Sequence, residues 1–144
     1  MHHYLECGLP DVWLVNGYQP LSTPYGDGVA VENVEALHRA IAMHLVQRAE
    51  PLTGAEFRFL RIELDLSQAR LAAYFGNDAQ SVALWEKRGK IPAWADRFLR
   101  AIYRERMEGA AHIEEIVARL NSDAPPSPPR AVFEETEAGW RAAA

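Results

Sequence analysis

The stretch Leu66-Ser-Gln-Ala-Arg-Leu71-Ala-Ala-Tyr-Phe-Gly76-Asn-Asp-Ala-Gln80-Ser-Val-Ala-Leu-Trp85-Glu-Lys-Arg-Gly89 decides the fold. Ser67 offers an N-cap, Leu71, Ala72 and Phe75 then follow at helical spacing, and Gly76 supplies the left-handed C-terminus. Asp78 caps a second short helix that should bury Val82 and Trp85. Working outward, the loop Arg88-Gly-Lys-Ile-Pro92 leads into a longer helix, because proline suits a first helical turn. Trp94, Phe98, Leu99, Ile102 and Tyr103 give that helix a broad apolar face. Upstream, Thr53-Gly-Ala-Glu56 has capping-box spacing and opens a helix whose inner face is Phe57, Leu60 and Leu64. Downstream, Ile113, Ile116, Val117 and Leu120 predict a further short helix over about 110 to 120.

The flanks read differently. Asp11-Val-Trp-Leu-Val-Asn-Gly-Tyr18 predicts a strand running into a hairpin turn at Asn16-Gly17. Pro20 and Pro24 cannot donate ladder hydrogen bonds, so the return strand should be short, irregular or at an edge. Val34, Leu37, Ile41 and Leu45 form one stripe of a helix over 33–47, which should pack or dimerise, and Glu50-Pro51 ends the segment. Asn121 to Pro129 is a proline-rich linker. The tail beyond it, with Phe133 and Trp140 among glutamates, is too short to fold alone and should dock or stay mobile. The expected organisation is an arm over 1–52, a bundle over 53–120 and a linker with acidic tail over 121–144. The expected fold class is mainly α: a helix-turn-helix five-helix bundle with a small β-containing N-terminal arm and an extended C-terminal tail.

Net charge is −5, which argues against a polyanionic partner until its distribution is resolved. Residues 53–107 carry 10 basic and 7 acidic side chains, whereas residues 1–52 carry 2 and 6 and residues 108–144 carry 3 and 7. A basic island between acidic flanks points to one anion-facing surface. No apolar run approaches the roughly 20 residues that span a bilayer, and Met1-His2-His3-Tyr4 lacks the basic and apolar regions of a signal peptide. The expected location is the cytoplasm, without membrane association. Cys7, the single cysteine, can form no internal disulfide.

Leu66-Ser67-Gln68, Leu71-Ala72, Gly76, Gln80-Ser81-Val82, Trp85-Glu86 and Gly89 together resemble the helix-turn-helix of Cro-type and xenobiotic-response-element-type repressors, with one extra residue before Gly89. The resemblance covers about a third of the chain. It implies that the second helix of the pair lies in the major groove of duplex DNA, and that the protein acts as a homodimer. Ser67 and Gln68 then place polar groups beside free backbone N–H groups, where a phosphate is held. Gln80, Leu84 and Lys87 fall at i, i+4 and i+7 opposite Val82 and Trp85, with Ser81 beside them. A glutamine amide can bond adenine N6 and N7, and Leu84 can touch a thymine methyl. Lys87, Arg88 and Lys90 are placed for phosphates. Ala79 and Leu84 stand where the family often has polar readers, which leaves Gln80 and Ser81 as the polar base contacts. Glu86 would repel phosphate, so it should pair with an arginine of the first bundle helix.

The expected function is therefore sequence-specific DNA binding as a homodimeric repressor, with the Val34–Leu45 stripe as one candidate shared surface. A small arm ahead of such a domain is also similar to MqsA-type antitoxins, whose arm binds zinc through paired cysteines. Glu6-Cys7-Gly8 cannot supply that site, so no metal or other cofactor is expected. The antitoxin likeness adds autorepression and a cognate toxin as a partner. The alternative is a protein-protein interaction module that neutralises a toxin and uses the bundle as a scaffold. No enzyme is expected: Cys7, Ser67 and Ser81 have no identifiable base, and no glycine-rich phosphate loop follows a strand.

Overall fold

The computed structural model describes residues 1–108 and 129–143. Among them the chain forms six strands and five helices: β1 (His2–His3), β2 (Val12–Leu14), β3 (Tyr18–Thr23), β4 (Gly26–Val31), α1 (Val34–Gln47), α2 (Gly54–Glu63), α3 (Gln68–Phe75), α4 (Ala79–Arg88), α5 (Ala93–Glu108), β5 (Ala131–Thr136) and β6 (Gly139–Ala142). The protein is mixed α/β with two sheets, which corrects the mainly helical bundle with an extended tail predicted above. The predicted helix at about 110 to 120 lies outside the described residues, as does most of the proline-rich linker.

Two compact units divide the chain: Met1–Ile41 with Pro128–Ala144, and Ala42–Ser127. The first is built on a four-stranded sheet of order β1-β2-β5-β6, in which β2 pairs with β5 in parallel and the outer pairs are antiparallel. The tail thus supplies half the sheet. Its Phe133 is fully buried, and its Trp140 is buried while donating from Nε1 to the Glu32 carbonyl at 3.2 Å. A short strand carrying only two large apolar residues among glutamates gives little local signal. It is held by its pairing with β2, far away in sequence, which the bond from the Val15 N–H to the Phe133 carbonyl, at 2.8 Å, continues just past the end of β2.

Asn16-Gly17 is not the turn of a hairpin, because β3 pairs with β4 around Pro24 and Tyr25 and not with β2. Asn16 instead accepts from the Glu135 backbone N–H at 2.6 Å. Gly17, at φ 77, leaves room for the Trp140 ring, which a Cβ would overlap. The dipeptide serves a long-range contact that demands the same residues as a tight turn. Pro20 lies in β3, whose hydrogen bonds go to β4 alone, and this two-stranded ribbon is mostly exposed. Three members of the α1 stripe, Leu37, Ile41 and Leu45, are buried within the chain and unavailable as a shared surface, whereas Val34 is 40% exposed.

In the second unit, the predicted caps hold. Thr53 and Glu56 complete a capping box on α2, Ser67 accepts from the Arg70 N–H, and Asp78 accepts from the Ser81 N–H. Gly76 and Gly89 close α3 and α4 in left-handed geometry, at φ 70 and 73. Phe57, Leu60, Leu64, Leu71, Val82, Leu99 and Tyr103 form the core. Trp85 packs edge-on against Phe57 and Trp94, with ring centroids 6.2 and 5.8 Å away. Trp94 and Phe98 remain about half exposed, at 49% and 50%, so the apolar face of α5 is only partly covered.

A charged network fastens the chain ahead of α2. Arg48 makes two bonds of 2.6 Å to the Glu56 carboxylate, and fully buried Arg100 donates to the Arg48 and Glu50 carbonyls while pairing with Asp96 at 2.7 Å. Burial alone would raise the Glu56 pKa, but the hydrogen bonds from Arg48 and Thr53 outweigh it and hold the group below its ordinary 4.5. His44 lies below its ordinary 6.5, first through burial and then through repulsion from Arg48. Both groups stabilise the fold when deprotonated, so their contributions are complete above those ordinary values and are lost on acidification. Melting temperature measured against pH is expected to decline first below about 6.5 and further below about 4.5, and His44→Gln should remove the first decline. A profile that is flat from neutrality to the carboxylate range would contradict the role given to His44.

Candidate functional site

Two helices of the second unit, α2 and α3, set the position of α4. Its inner side is fastened through Glu86, whose carboxylate accepts from Arg61 of α2 at 2.7 and 3.1 Å and from Gln68 of α3 at 3.1 Å. The expected pair between Glu86 and an arginine of the first bundle helix is thus present, with Arg61 as that arginine. Gln68 joins it as a third participant. At the backbone, a Cβ on Gly54 would overlap the Glu86 carbonyl oxygen, so only glycine lets the start of α2 approach α4 this closely.

The candidate residues separate by what already engages them. Ser67 Oγ accepts from the Arg70 N–H at 3.1 Å. The Gln68 amide is turned to Glu86, and Ser81 Oγ donates to Asp78 at 2.9 Å. Ala79 is half-buried at the start of α4. Gln80, Lys87, Arg88 and Lys90 are exposed, and no hydrogen bond or ion pair engages their side chains among the described residues. Leu84 is exposed between Gln80 and Lys87, at 44% of its surface. The outward face of α4 is therefore one amide, one apolar side chain and a cationic end. Sequence reading did not single out Arg58 on α2 or Arg70 on α3, two further exposed cations with no such partner. Their position outside the apolar stripes was the available signal.

Electrostatics along α4 are uneven. Hydrogen bonds from the Ser81 N–H and hydroxyl hold the exposed Asp78 carboxyl below its ordinary range, so the N-terminal end carries a negative charge at neutral pH. Positive charge gathers at the other end, where Lys87, Arg88 and Lys90 also complement the helix dipole. Positive charge is thus confined to the C-terminal end of the outward face, and the neutral Gln80 amide lies nearer the N-terminus. Beside the cations, Ser81, Leu84, Trp85, Arg88 and Lys90 line a shallow hollow of about 240 Å³.

Among the described residues, no three His, Cys, Asp or Glu side chains gather as a metal shell. No helix of the described residues is long and apolar enough to cross a membrane. Comparison with protein-family models, curated proteins and solved structures returns no match for this chain.

Proposed function

We propose that the protein is a sequence-specific DNA-binding regulator of the Cro and xenobiotic-response-element repressor kind, which lays α4 in the major groove. The observation that carries this reading is the division of α4. One side is locked to α2 and α3 through Glu86, while the other presents Gln80, Leu84 and a cationic end whose polar groups no hydrogen bond or ion pair engages among the described residues. Gln80 bonds adenine in the groove, and the cationic end of α4, led by Lys87 and Lys90, draws in the phosphates. The protein acts in the cytoplasm as a homodimeric repressor, because the few base contacts of one domain need a second half-site for useful affinity. The reading involves no catalysis and no cofactor.

Gln80→Ala is expected to cost roughly 1 to 3 kcal/mol on the preferred duplex and little on random DNA. Lys87→Ala should weaken both DNAs alike and reduce the salt slope by about one unit per bound domain. Titrations of both variants against both duplexes at several salt concentrations measure this. Equal losses for Gln80→Ala on the two DNAs, or no loss from either change, would remove α4 as the reader.

One observation favours the rival, an antitoxin that neutralises a protein partner. The β3–β4 ribbon is mostly exposed, Tyr25 at its turn is fully exposed, and its only ionised side chain is the acidic Asp27. Stable co-purification with a neighbour-encoded protein, together with an absence of DNA affinity, would favour that reading.

A further inference from the structure

The hollow on the flank of α4 does more than its charge alone would require. Ser81, Leu84, Trp85 and Arg88 are spaced i, i+3, i+4 and i+7, so they form one stripe along the helix, and Lys90 closes the end from the following loop. Leu84 belongs both to this stripe and to the outward face that carries Gln80 and Lys87. The floor is apolar and rigid, because Trp85 is held by ring contacts to Phe57, Phe75 and Trp94. Its volume of about 240 Å³ falls short of small-molecule sites, which run to roughly 300–1,000 Å³, and suits one group of a larger ligand.

Two cations at one end complement DNA but do not have the same chemistry. Lysine is a compact point charge suited to phosphate, whereas the arginine fork matches guanine O6 and N7. Lys87 and Lys90 bracket Arg88 in sequence and are free to take the backbone, which releases Arg88 for a base. An apolar floor one helical turn away from that arginine is matched in the major groove by a single group, the 5-methyl of a pyrimidine.

We propose that the hollow seats a pyrimidine 5-methyl group against Leu84 and Trp85 while Arg88 bonds the guanine on its 3′ side, so that α4 reads a 5-methylpyrimidine–guanine step. This rests on the DNA-binding reading above and assigns the sequence element recognised beside the base pair read by Gln80. Thymine and 5-methylcytosine present the same methyl group, and both are tested.

The experiment uses the unmodified full chain and alters only the DNA. A duplex is first selected from a random pool at physiological salt, and its thymine–guanine step is then varied by synthesis. Replacing the thymine with uracil should weaken binding about fourfold, the effect of one buried methyl group. Replacing the guanine with 7-deazaguanine, which lacks the N7 acceptor, should weaken binding about fivefold or more. With the paired base changed to match, 5-methylcytosine should bind like thymine, and cytosine like uracil. Leu84→Ala should abolish the distinction between thymine and uracil, and Arg88→Lys should abolish that between guanine and 7-deazaguanine.

Selective binding that depends on Gln80 but tolerates uracil at every thymine would overturn this proposal and leave the DNA-binding reading standing. So would 5-methylcytosine ranking with cytosine, or an Arg88→Lys protein that still discriminates against 7-deazaguanine. A protein that selects no duplex from the pool overturns both.

Discussion

Ending the chain after Asn121 is expected to unfold the first unit, because the tail is part of its sheet. β5 lies between β2 and β6, so its loss leaves β2 without one of its two partners and exposes the core that Phe133 fills. Truncating a buried large aromatic costs about 3 to 5 kcal/mol, and the cut removes both Phe133 and Trp140. Set against a whole-domain stability of about 5 to 15 kcal/mol, that loss consumes most of the margin. Hydrogen exchange is the informative measurement. Amides of Val12, Leu14 and the first turns of α1 should lose protection in the truncated chain, while those of α2 to α5 keep it. Unchanged protection in β2 would mean that the tail adds little to the sheet. Phe133→Ala in the full chain should reproduce a large part of the effect.

Arg100→Met is the second substitution with a large expected effect. The guanidinium is fully buried, donates to the carbonyls of Arg48 and Glu50, and pairs with Asp96, which itself accepts from the Leu52 N–H at 2.7 Å. Methionine fills much of the volume but leaves a buried carboxylate without its countercharge and two carbonyls without donors. Breaking one side of such a pair costs about 3 to 5 kcal/mol. Thermal and urea unfolding of the full chain should register the loss, and Asp96→Asn added to Arg100→Met should recover part of it by removing the stranded charge. A melting temperature within a degree or two of the parent would show that the network is dispensable.

The helices were legible because their signals are local. Thr53 with Glu56, Ser67, Asp78, Gly76 and Gly89 each act within four residues of their own position, so pattern and placement agree. Strands depend on partners, and β2 and β5 are about 120 residues apart in a register of Val12 with Ala131 and Leu14 with Phe133. No period in either segment reports that pairing. Asn16-Gly17 misled for a related reason, since the residues that permit a tight turn also permit the close seat under Trp140. At the candidate site, the outward stripe of α4 followed from helical spacing. The engagement of Gln68 by Glu86 did not, because it depends on how α3 meets α4. The cap at Asp78 implies the bond from the Ser81 N–H, but the second bond, from the Ser81 hydroxyl, depends on a side-chain rotamer that no pattern reports.

The close seat of Gly54 on the Glu86 carbonyl, with the three side-chain bonds to the Glu86 carboxylate, has a consequence for how recognition could change. Val82, Trp85 and Glu86 hold α4 in place, and among the described residues no hydrogen bond or ion pair engages the side chains of Gln80 and Lys87 on its outward side. On the DNA-binding reading proposed above, substitutions at Gln80, Leu84 or Lys87 therefore alter the preferred duplex without removing the bonds made by Glu86. The geometry of presentation is inherited unchanged by every such variant. On that reading, specificity is free to drift in single steps, each of which leaves a folded protein.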